Sequence, residues 1–370
     1  MLEPAAASRP ALSSTTGFYS QRIDHLRFFA ALLVMWWHWN ATQIASDPWW
    51  VPQNPLLSLF DEGHIGVGLF FTLSGYLFYF ISWGREVDYR GFLINRFLRI
   101  APLMVVWTLL LYSLNIGQLN PIALVTAMLT TFGSLPGVGW SVLIEIQFYL
   151  LFPLLLRLGR ERGLSYYGAL LALLFLIRLA IWLYGGPVRT VAYSTMFGRL
   201  DQFLLGMLAA HWVICGREFA GRYAGALVIG LAIVVASTHY LNLRGGFAET
   251  YIRSPWVWLP LVHGVGWGLV IAGYAKVRLP AVPMFAGGLA SLGEWSYSLY
   301  WSHVTIFEGT RGLYGFLGLP PLPTSLEQML FFALLAVPAT CAFSALSFYV
   351  IERPFIDMRR SYSRLTAPTA

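Results

Sequence analysis

Residues 24–40 read DHLRFFAALLVMWWHWN, an apolar stretch with two polar markers. Arg27 stands at its entrance, and His38 follows eleven positions later. In an α-helix that separation measures about 16 Å along the axis, roughly half the thickness of the hydrocarbon core of a bilayer. Eleven residues also make about three helical turns, so both side chains lie on nearly the same face. The stretch therefore predicts a membrane-spanning helix that carries an imidazole near mid-membrane depth.

An imidazole at that depth is costly unless it faces a wet cavity or acts on a ligand. Four roles are compatible with His38: a catalytic base, a structural hydrogen bond to a neighbouring helix, a proton relay and a metal ligand. The sequence lacks His-x-x-x-His and similar ligand spacings, so a metal site is disfavoured. Cys215 and Cys341 support neither a disulfide framework nor a zinc site.

The composition is that of a membrane protein. Of the 370 residues 57% are hydrophobic and only 11% are charged, whereas soluble proteins have about 25% charged residues. A net charge of +7 could indicate nucleic-acid binding in a soluble protein, but here it is better explained by arginines in cytoplasmic loops. Residues 1–20 are polar and lack a charged start followed by an apolar core. They predict a disordered lead rather than a cleavable signal peptide.

Arginines between the apolar segments indicate which segments cross the bilayer. Arg22 and Arg27 precede the first segment, and four arginines fill the loop 84–99, so both belong on the inner side. The arginines that follow segment 139–157 require it to start outside. Segment 121–135 is short and ends in Gly and Pro, which favours a re-entrant or half-spanning piece. The eleven apolar segments are 26–45, 65–83, 99–116, 121–135, 139–157, 166–184, 199–215, 223–241, 256–275, 284–307 and 327–351.

The predicted fold is an all-α polytopic membrane protein with about ten transmembrane helices, one short re-entrant segment and both termini cytoplasmic. The expected organisation is a lead at 1–20, a transmembrane domain at 21–357 and a cytoplasmic tail at 358–370. Hydropathy shows no internal repeat, which lowers the expectation of an inverted-repeat transporter.

Arg96 and Arg99 close the first cytoplasmic loop and lie three positions apart, so they share one helix face. Ordinary cytoplasmic charge explains this pair as well as a binding role does. The guanidinium fork matches phosphate geometry, so beside a cavity the pair would suit a phosphorylated cosubstrate.

The segment after the re-entrant piece begins Trp140-Ser141 and places Glu145 five residues into the span. A carboxylate there is costly unless it is paired or faces water. Glu145 is either a structural partner of an arginine or a backbone amide, or a group that orients the histidine or binds a sugar hydroxyl. Ser141 has no nucleophile elbow around it, so we do not predict a nucleophile.

Residues 296–303, SYSLYWSH, place a second deep histidine, His303, on an aromatic face. Part of this cluster is expected to form the Tyr and Trp belt at the membrane interface.

Glu352 and Arg353 predict a local ion pair. The glycines of the second span suit close helix contact rather than dinucleotide binding. Three histidines without an accompanying pattern are expected to be structural: His211, His239 and His263.

Taken in order, these pieces resemble the acyltransferase-3 family of integral membrane O-acyltransferases. The motifs occur in the family's order and extend from about residue 22 to residue 356. Two departures are expected to matter: many relatives carry an acidic residue where this chain has Gly68, and some carry an SGNH esterase-like domain that is not expected here. The motifs are Ile23-Asp24-His25-Leu26-Arg27 followed after ten residues by His38, Gly66-Val67-x-Leu69-Phe70-Phe71-x-Leu73-Ser74-Gly75, Arg96-x-x-Arg99-x-x-Pro102, Trp140-Ser141-x-x-x-Glu145-x-x-Phe148-Tyr149, Ser296-Tyr297-Ser298-x-Tyr300-x-x-His303 and Glu352-x-Pro354.

The resemblance implies transfer of an acyl group, commonly acetyl from acetyl-CoA, to a hydroxyl of a carbohydrate or another cell-envelope or secreted product. It implies that His38 is the catalytic histidine and that Glu145 supports the site. No bound cofactor is expected, since acyl-CoA is a cosubstrate, and the expected location is a bacterial inner membrane. The residues expected to bind the substrates are Asp24, Arg27, Arg96, Arg99, Trp140, Ser141, Tyr297 and His303.

We expect one cavity that leads from the inner arginines to His38, with Glu145 nearer the outer mouth. A rival interpretation is a proton-coupled transporter or flippase for a lipid-linked sugar or small molecule, which would move substrate without consuming an acyl donor. A third is a catalytically silent membrane scaffold, which would tolerate changes of His38 or Arg99. The sequence leaves open the acceptor, the acyl group and the oligomeric state.

Overall fold

The structure is a computed structural model that describes residues 20–43, 54–114, 138–217, 219, 221–248, 254–277, 283–320 and 325–365. The predicted re-entrant segment 121–135 and all but the last residue of the predicted lead lie outside these described residues.

The described chain is predominantly helical. Short 3₁₀ turns cover Gly246–Ala248 and Pro255–Val257, and π-helical turns at Phe332–Ala336 and Phe348–Glu352 join the last three helices. The helices are α1 (Gln21–Gln43), α2 (Pro55–Asp61), α3 (Ile65–Ser82), α4 (Tyr89–Leu114), α5 (Gly139–Arg162), α6 (Leu164–Leu183), α7 (Val188–Ser194), α8 (Met196–Cys215), α9 (Arg222–Leu243), α10 (Leu259–Lys276), α11 (Pro283–Glu294), α12 (Ser296–Phe316), α13 (Ser325–Phe331), α14 (Val337–Ser347) and α15 (Arg353–Asp357).

The described parts of the other predicted apolar segments are mainly helical, although the segment 284–307 is divided between α11 and α12 at Trp295. In the described part of the chain, six helical stretches are long and apolar enough to cross a membrane. The prediction of a helical chain with several apolar helices is therefore confirmed, while the count of ten crossings and the orientation of the termini stay predictions. The six are Ile65–Ser82, Tyr89–Leu110, Gly139–Arg162, Leu164–Leu183, Arg222–Leu243 and Glu327–Asp357.

Helix α3 lies at the centre of the bundle. Of its apolar stretch 78% of the residues are buried, against 17% for α6, whose leucines are largely exposed. Helix α3 packs against α1, α8 and α10. A Cβ atom on Gly66 would overlap the carbonyl oxygen of Ala30, and one on Gly75 would overlap that of Phe203. The prediction that these glycines permit close helix contact is confirmed, because the backbones touch where a side chain would stand.

A two-stranded antiparallel ribbon joins two parts of the chain that the sequence assigns to the inner side. Strand β1 (Arg85–Val87) follows α3, and strand β2 (Ser363–Leu365) follows α15, with Glu86 opposite Arg364. The backbone amide of Asp88 donates to the carbonyl of Tyr362 at 2.8 Å and extends this contact. The loop before α4 and the C-terminal segment therefore lie on one face of the bundle.

Candidate active site

His38 lies in the second half of α1 and contacts His303 of α12. The Nδ1 atom of His38 is 3.1 Å from Nε2 of His303 and 2.9 Å from the carbonyl oxygen of Val34. The Nδ1 atom of His303 is 3.0 Å from the carbonyl oxygen of Leu299, and its side chain is completely buried. A carbonyl oxygen only accepts, so each Nδ1 carries the proton and Nε2 of His303 accepts from His38. Nε2 is therefore the basic nitrogen of His38.

A cavity of about 480 Å³ opens beside His38. His38 is half-buried and forms part of the wall of this cavity. The wall is mainly aromatic, and several polar side chains are set into it. The residues that line the first cavity are Val34, Trp37, His38, His64, Val67, Trp140, Leu143, Ile144, Gln147, Thr190, Tyr193, Ser194, Thr195, Phe247 and Tyr300.

A second cavity of about 120 Å³ contains the predicted arginines. Arg27 comes from α1, whereas Arg96 and Arg99 come from one face of α4. Arg96 and Arg99 thus lie beside a cavity, and their role in binding a phosphorylated cosubstrate stays a prediction. The polar residues that line the second cavity are Arg27, Ser74, Arg96, Arg99, Ser141, Glu145, Tyr149, Ser296, Tyr297 and Tyr300.

Two arginines of this second cavity have carboxylate partners. Arg27 pairs with the buried Asp24 at 2.7 Å. Arg99 pairs at 2.6 Å with Glu352, whose side chain is fully buried. The predicted local pair of Glu352 with Arg353 is therefore wrong, because Arg99 reaches Glu352 from another helix and Arg353 lies 3.4 Å from an Asp357 oxygen instead.

Arg96 contributes positive charge to the second cavity. Its guanidinium lies over the ring of Phe78, 4.9 Å from the centroid. Within the described residues its Nε atom is buried without a hydrogen bond, and no carboxylate lies within salt-bridge distance. Arg359 adds charge nearby: burial, together with Arg96 and Arg99, lowers its pKa to about 10. This side of the site is suited to an anion.

Glu145 lies in the arginine-lined cavity and does not line the cavity of His38. It accepts hydrogen bonds from the Ser74 hydroxyl at 2.9 Å and from the Tyr149 hydroxyl at 2.6 Å. Glu145 thus shares a cavity with the arginines, and its position nearer the outer mouth stays a prediction. The side chain that contacts and orients the first histidine is His303, which the sequence had singled out for substrate binding.

The two cavities are separate but adjacent, whereas the sequence predicted one. Val67 and Tyr300 line both of them. The hydroxyls of Tyr300 and Ser141 lie 2.6 Å apart, and this hydrogen bond joins α12 to α5. The two cavities therefore adjoin at Val67 and Tyr300.

The other predicted residues divide between the two cavities or lie away from both. The Trp140 ring lies in the first cavity, 4.7 Å from the ring of Tyr193. Tyr297 lines the second and donates to the carbonyl of Ile100 at 3.0 Å. The three histidines predicted to be structural lie outside both cavities and bond to hydroxyls: His211 to Tyr79, His239 to Ser58 and His263 to Thr238.

Sequence reasoning missed several residues of the site. His64 and Tyr193 line the first cavity, but neither belongs to a motif that signals chemistry. Gly68 faces Gln202, whose amide occupies the space that a side chain at position 68 would need. Gln202 also accepts a hydrogen bond from the buried Arg199 at 3.1 Å. Gln202 therefore fills the position where many relatives are expected to carry an acidic group. Among the described residues no group of three or more His, Cys, Asp or Glu is arranged to hold a metal ion.

A bundle of apolar helices with a histidine pair and an arginine-lined chamber inside it defines a membrane-type helical protein with an internal polar site. A model of the acyltransferase domain of the acyltransferase-3 family matches residues 20–349. The chain belongs to this family, which confirms the resemblance.

Several curated proteins are similar to the chain. The Bacillus subtilis protein named "Putative peptidoglycan O-acetyltransferase YrhL" is 27% identical, over 94% of this chain and 56% of its own length. "Acyltransferase MdmB" of Streptomyces mycarofaciens is 27% identical, over 79% of this chain and 80% of its own length. A "Putative O-acetyltransferase" of Staphylococcus aureus is 24% identical, over 93% of this chain and 59% of its own length. The chain thus spans little more than half the length of two of these relatives. No solved structure matches it.

Proposed function

We propose that this protein is a membrane O-acyltransferase of a bacterial inner membrane. It moves an acyl group, most simply acetyl, from acyl-CoA to a hydroxyl of a carbohydrate or another cell-envelope or secreted product. The observation that carries the proposal is the position of His38, which lines a cavity that shares Val67 and Tyr300 with an arginine-lined chamber.

The arginine-lined chamber supports acyl-CoA as the donor. Coenzyme A carries several phosphate charges, and arginine forks bind phosphate in bidentate geometry. Arg27 and Arg99 are already paired with carboxylates. Arg96 instead stacks on an aromatic ring, so its charge is available to bind a phosphate. The thioester end of the donor has to pass the Tyr300–Ser141 contact to reach His38. In this arrangement Glu145 hydrogen-bonds the donor side of the site rather than the histidine.

The chemistry follows from the tautomers of the two histidines. Nε2 of His38 accepts the proton of the acceptor hydroxyl while the hydroxyl oxygen attacks the thioester carbonyl carbon. A C–O bond forms, the C–S bond breaks, and the imidazolium returns its proton to the departing thiolate. His303 accepts a hydrogen bond from Nδ1–H of His38 and so stabilises the imidazolium. A positioned base of this kind contributes about 10²- to 10⁴-fold in rate.

The acceptor belongs in the first cavity. Its volume and aromatic wall suit a ring with polar edges, because sugar faces pack on aromatic rings while hydroxyls require hydrogen-bond partners. One relative is named for peptidoglycan and another carries the more general name acyltransferase. We infer an envelope glycan as the acceptor class.

The test is acyl transfer by the protein in native membranes. Labelled acetyl-CoA is added to membranes from cells that express the wild-type protein or His38→Ala, and label in envelope glycans and release of free CoA are both measured. The wild-type protein is expected to label glycans in step with CoA release, and His38→Ala to lose about 10²-fold or more. His211→Ala is the matched control, because that histidine contacts Tyr79 outside both cavities. Full transfer by a folded His38→Ala protein refutes the proposal.

A further inference from the structure

His64 is a second histidine in the first cavity. It stands directly before α3, where the chain leaves the short helix α2. Its side chain is buried, with an exposed fraction of 2%. The ring lies among the aromatic groups of the wall, with centroid distances of 5.7 Å to Trp37, 5.3 Å to Tyr193 and 4.9 Å to Phe247. His64 therefore presents polar atoms inside an otherwise apolar part of the cavity.

The ring nitrogens of His64 lack hydrogen bonds within the described part of the chain. Its one polar neighbour at ion-pair distance is Glu62, with 3.3 Å between Nε2 and Oε2. Buried polar groups in native proteins almost always find a partner. A neutral imidazole has one donor and one acceptor nitrogen, which is the complement of a hydroxyl group. An imidazole that borders a cavity and lacks a protein partner is thus placed to bind a ligand hydroxyl.

Glu62 fixes the position of this ring relative to the cavity wall. Its carboxyl group accepts a hydrogen bond from the backbone amide of Phe247, and a Cβ on Gly246 would overlap one of its oxygens. Gly246 has φ of +65°, a conformation that favours glycine, so the turn that holds Phe247 packs directly onto the carboxyl group. Burial and the neighbouring Asp61 raise the pKa of Glu62 to about 8. Oε2 of Glu62 lies 3.3 Å from Nε2 of His64, so the fixed carboxyl group holds the ring in place beside the cavity.

We propose that His64, oriented by Glu62, is a positioning residue that hydrogen-bonds a hydroxyl or ring oxygen of the acceptor sugar and presents a different hydroxyl to His38. This inference rests on the proposed function and adds to it the second contact point of the acceptor. The donor is the less suitable partner, because His64 lines the cavity of His38 and not the arginine-lined chamber. With His38 and His64 both in its wall, the cavity would select one hydroxyl of a polyhydroxylated ring.

The test separates acceptor binding from donor binding and from folding. Membranes that carry wild-type protein, His64→Ala, His64→Gln or Glu62→Gln are titrated with an envelope-glycan extract at saturating acetyl-CoA, and then with acetyl-CoA at saturating extract. His64→Ala is expected to raise the half-saturating amount of extract about tenfold, the effect of one lost hydrogen bond, and to change the KM for acetyl-CoA less than twofold. His64→Gln, which keeps a donor and an acceptor, is expected to recover most of the loss.

The outcomes distinguish the two proposals. An unchanged dependence on extract in both His64 variants, or an equal loss for extract and for acetyl-CoA, overturns the role of His64 and leaves the proposed function standing. If wild-type membranes neither release CoA nor label the extract, the proposed function fails, and the role of His64 fails with it. His211→Ala again reports the effect of losing a histidine outside both cavities. The amount of folded protein is measured as the fraction that stays soluble in detergent and elutes at the size of the wild-type protein. A variant that does not fold is therefore recognised before its kinetics are measured.

Discussion

The contact between His38 and His303 gives the sharpest prediction about rate. His303→Ala removes the Nε2 atom that lies 3.1 Å from Nδ1 of His38 and accepts a hydrogen bond from it. In the proposed reaction His38 becomes an imidazolium, so the lost hydrogen bond is one from a charged group, worth about 1.5–3 kcal/mol. That range corresponds to a fall in kcat of about 10- to 150-fold. The carbonyl of Val34 still holds the proton on Nδ1, so the loss is expected to be smaller than that of His38→Ala.

The assay measures kcat and the KM for acetyl-CoA from the release of free CoA, in membranes that supply the acceptor. The KM is expected to stay within about twofold, because His303 lines neither cavity. His263→Ala is the matched control: it also removes a buried histidine, which bonds Thr238 in a different part of the bundle. If His303→Ala keeps wild-type kcat, or if His263→Ala loses as much, the assignment of His303 as the partner of the catalytic base is wrong.

Three further predictions follow from the packing and charge of the site. Arg96→Ala is expected to raise the KM for acetyl-CoA about tenfold, and Arg99→Ala to raise it less, because Arg99 is already paired with Glu352. Only the Arg99 variant is expected to lower stability, by about 3 kcal/mol, because it leaves a buried carboxylate unpaired. Kinetic assays and calorimetric or fluorescence unfolding in detergent distinguish the two variants. Gly75→Ala is expected to cost about 1–3 kcal/mol, since its Cβ overlaps a carbonyl of α8, whereas Gly309→Ala enters open space and is neutral, and equal unfolding temperatures for the two would contradict the close contact. Glu62 has a pKa of about 8 in the folded protein, against 4.5 ordinarily, so between these values the folded state holds a proton that the unfolded state loses. The stability that this group contributes is full below about pH 4.5 and is lost as pH rises through 8. Glu62→Gln should therefore flatten the dependence of the unfolding temperature on pH in this range.

The helices were largely predictable from sequence, because long apolar runs have few alternatives in a membrane. The predicted segments are mainly helical within the described residues, and the glycines of α3 allow the close contacts expected of them. The division of segment 284–307 at Trp295 was not visible, since the hydrophobicity continues through it. The short ribbon of β1 and β2 was also missed, because three-residue strands far apart in the chain leave no local pattern.

The candidate site was predictable residue by residue but not in its arrangement. Both deep histidines and the arginine pair stood out because polar groups in apolar helices are costly. Their partners depend on contacts between distant parts of the chain: His303 with His38, and Glu352 with Arg99. His64 was overlooked for the same reason. It adjoins a glycine-rich helix start, and its place in the cavity wall depends on aromatic rings from distant parts of the chain.

The hydrogen bond between Tyr300 and Ser141 has a consequence for how easily the two chambers can be joined. It connects α12 to α5 at a side chain that lines both chambers. One such bond contributes only about 1 kcal/mol net, because each hydroxyl accepts an alternative partner. A bound molecule that offers either hydroxyl a new partner therefore replaces this contact at little cost, without any change in the backbone.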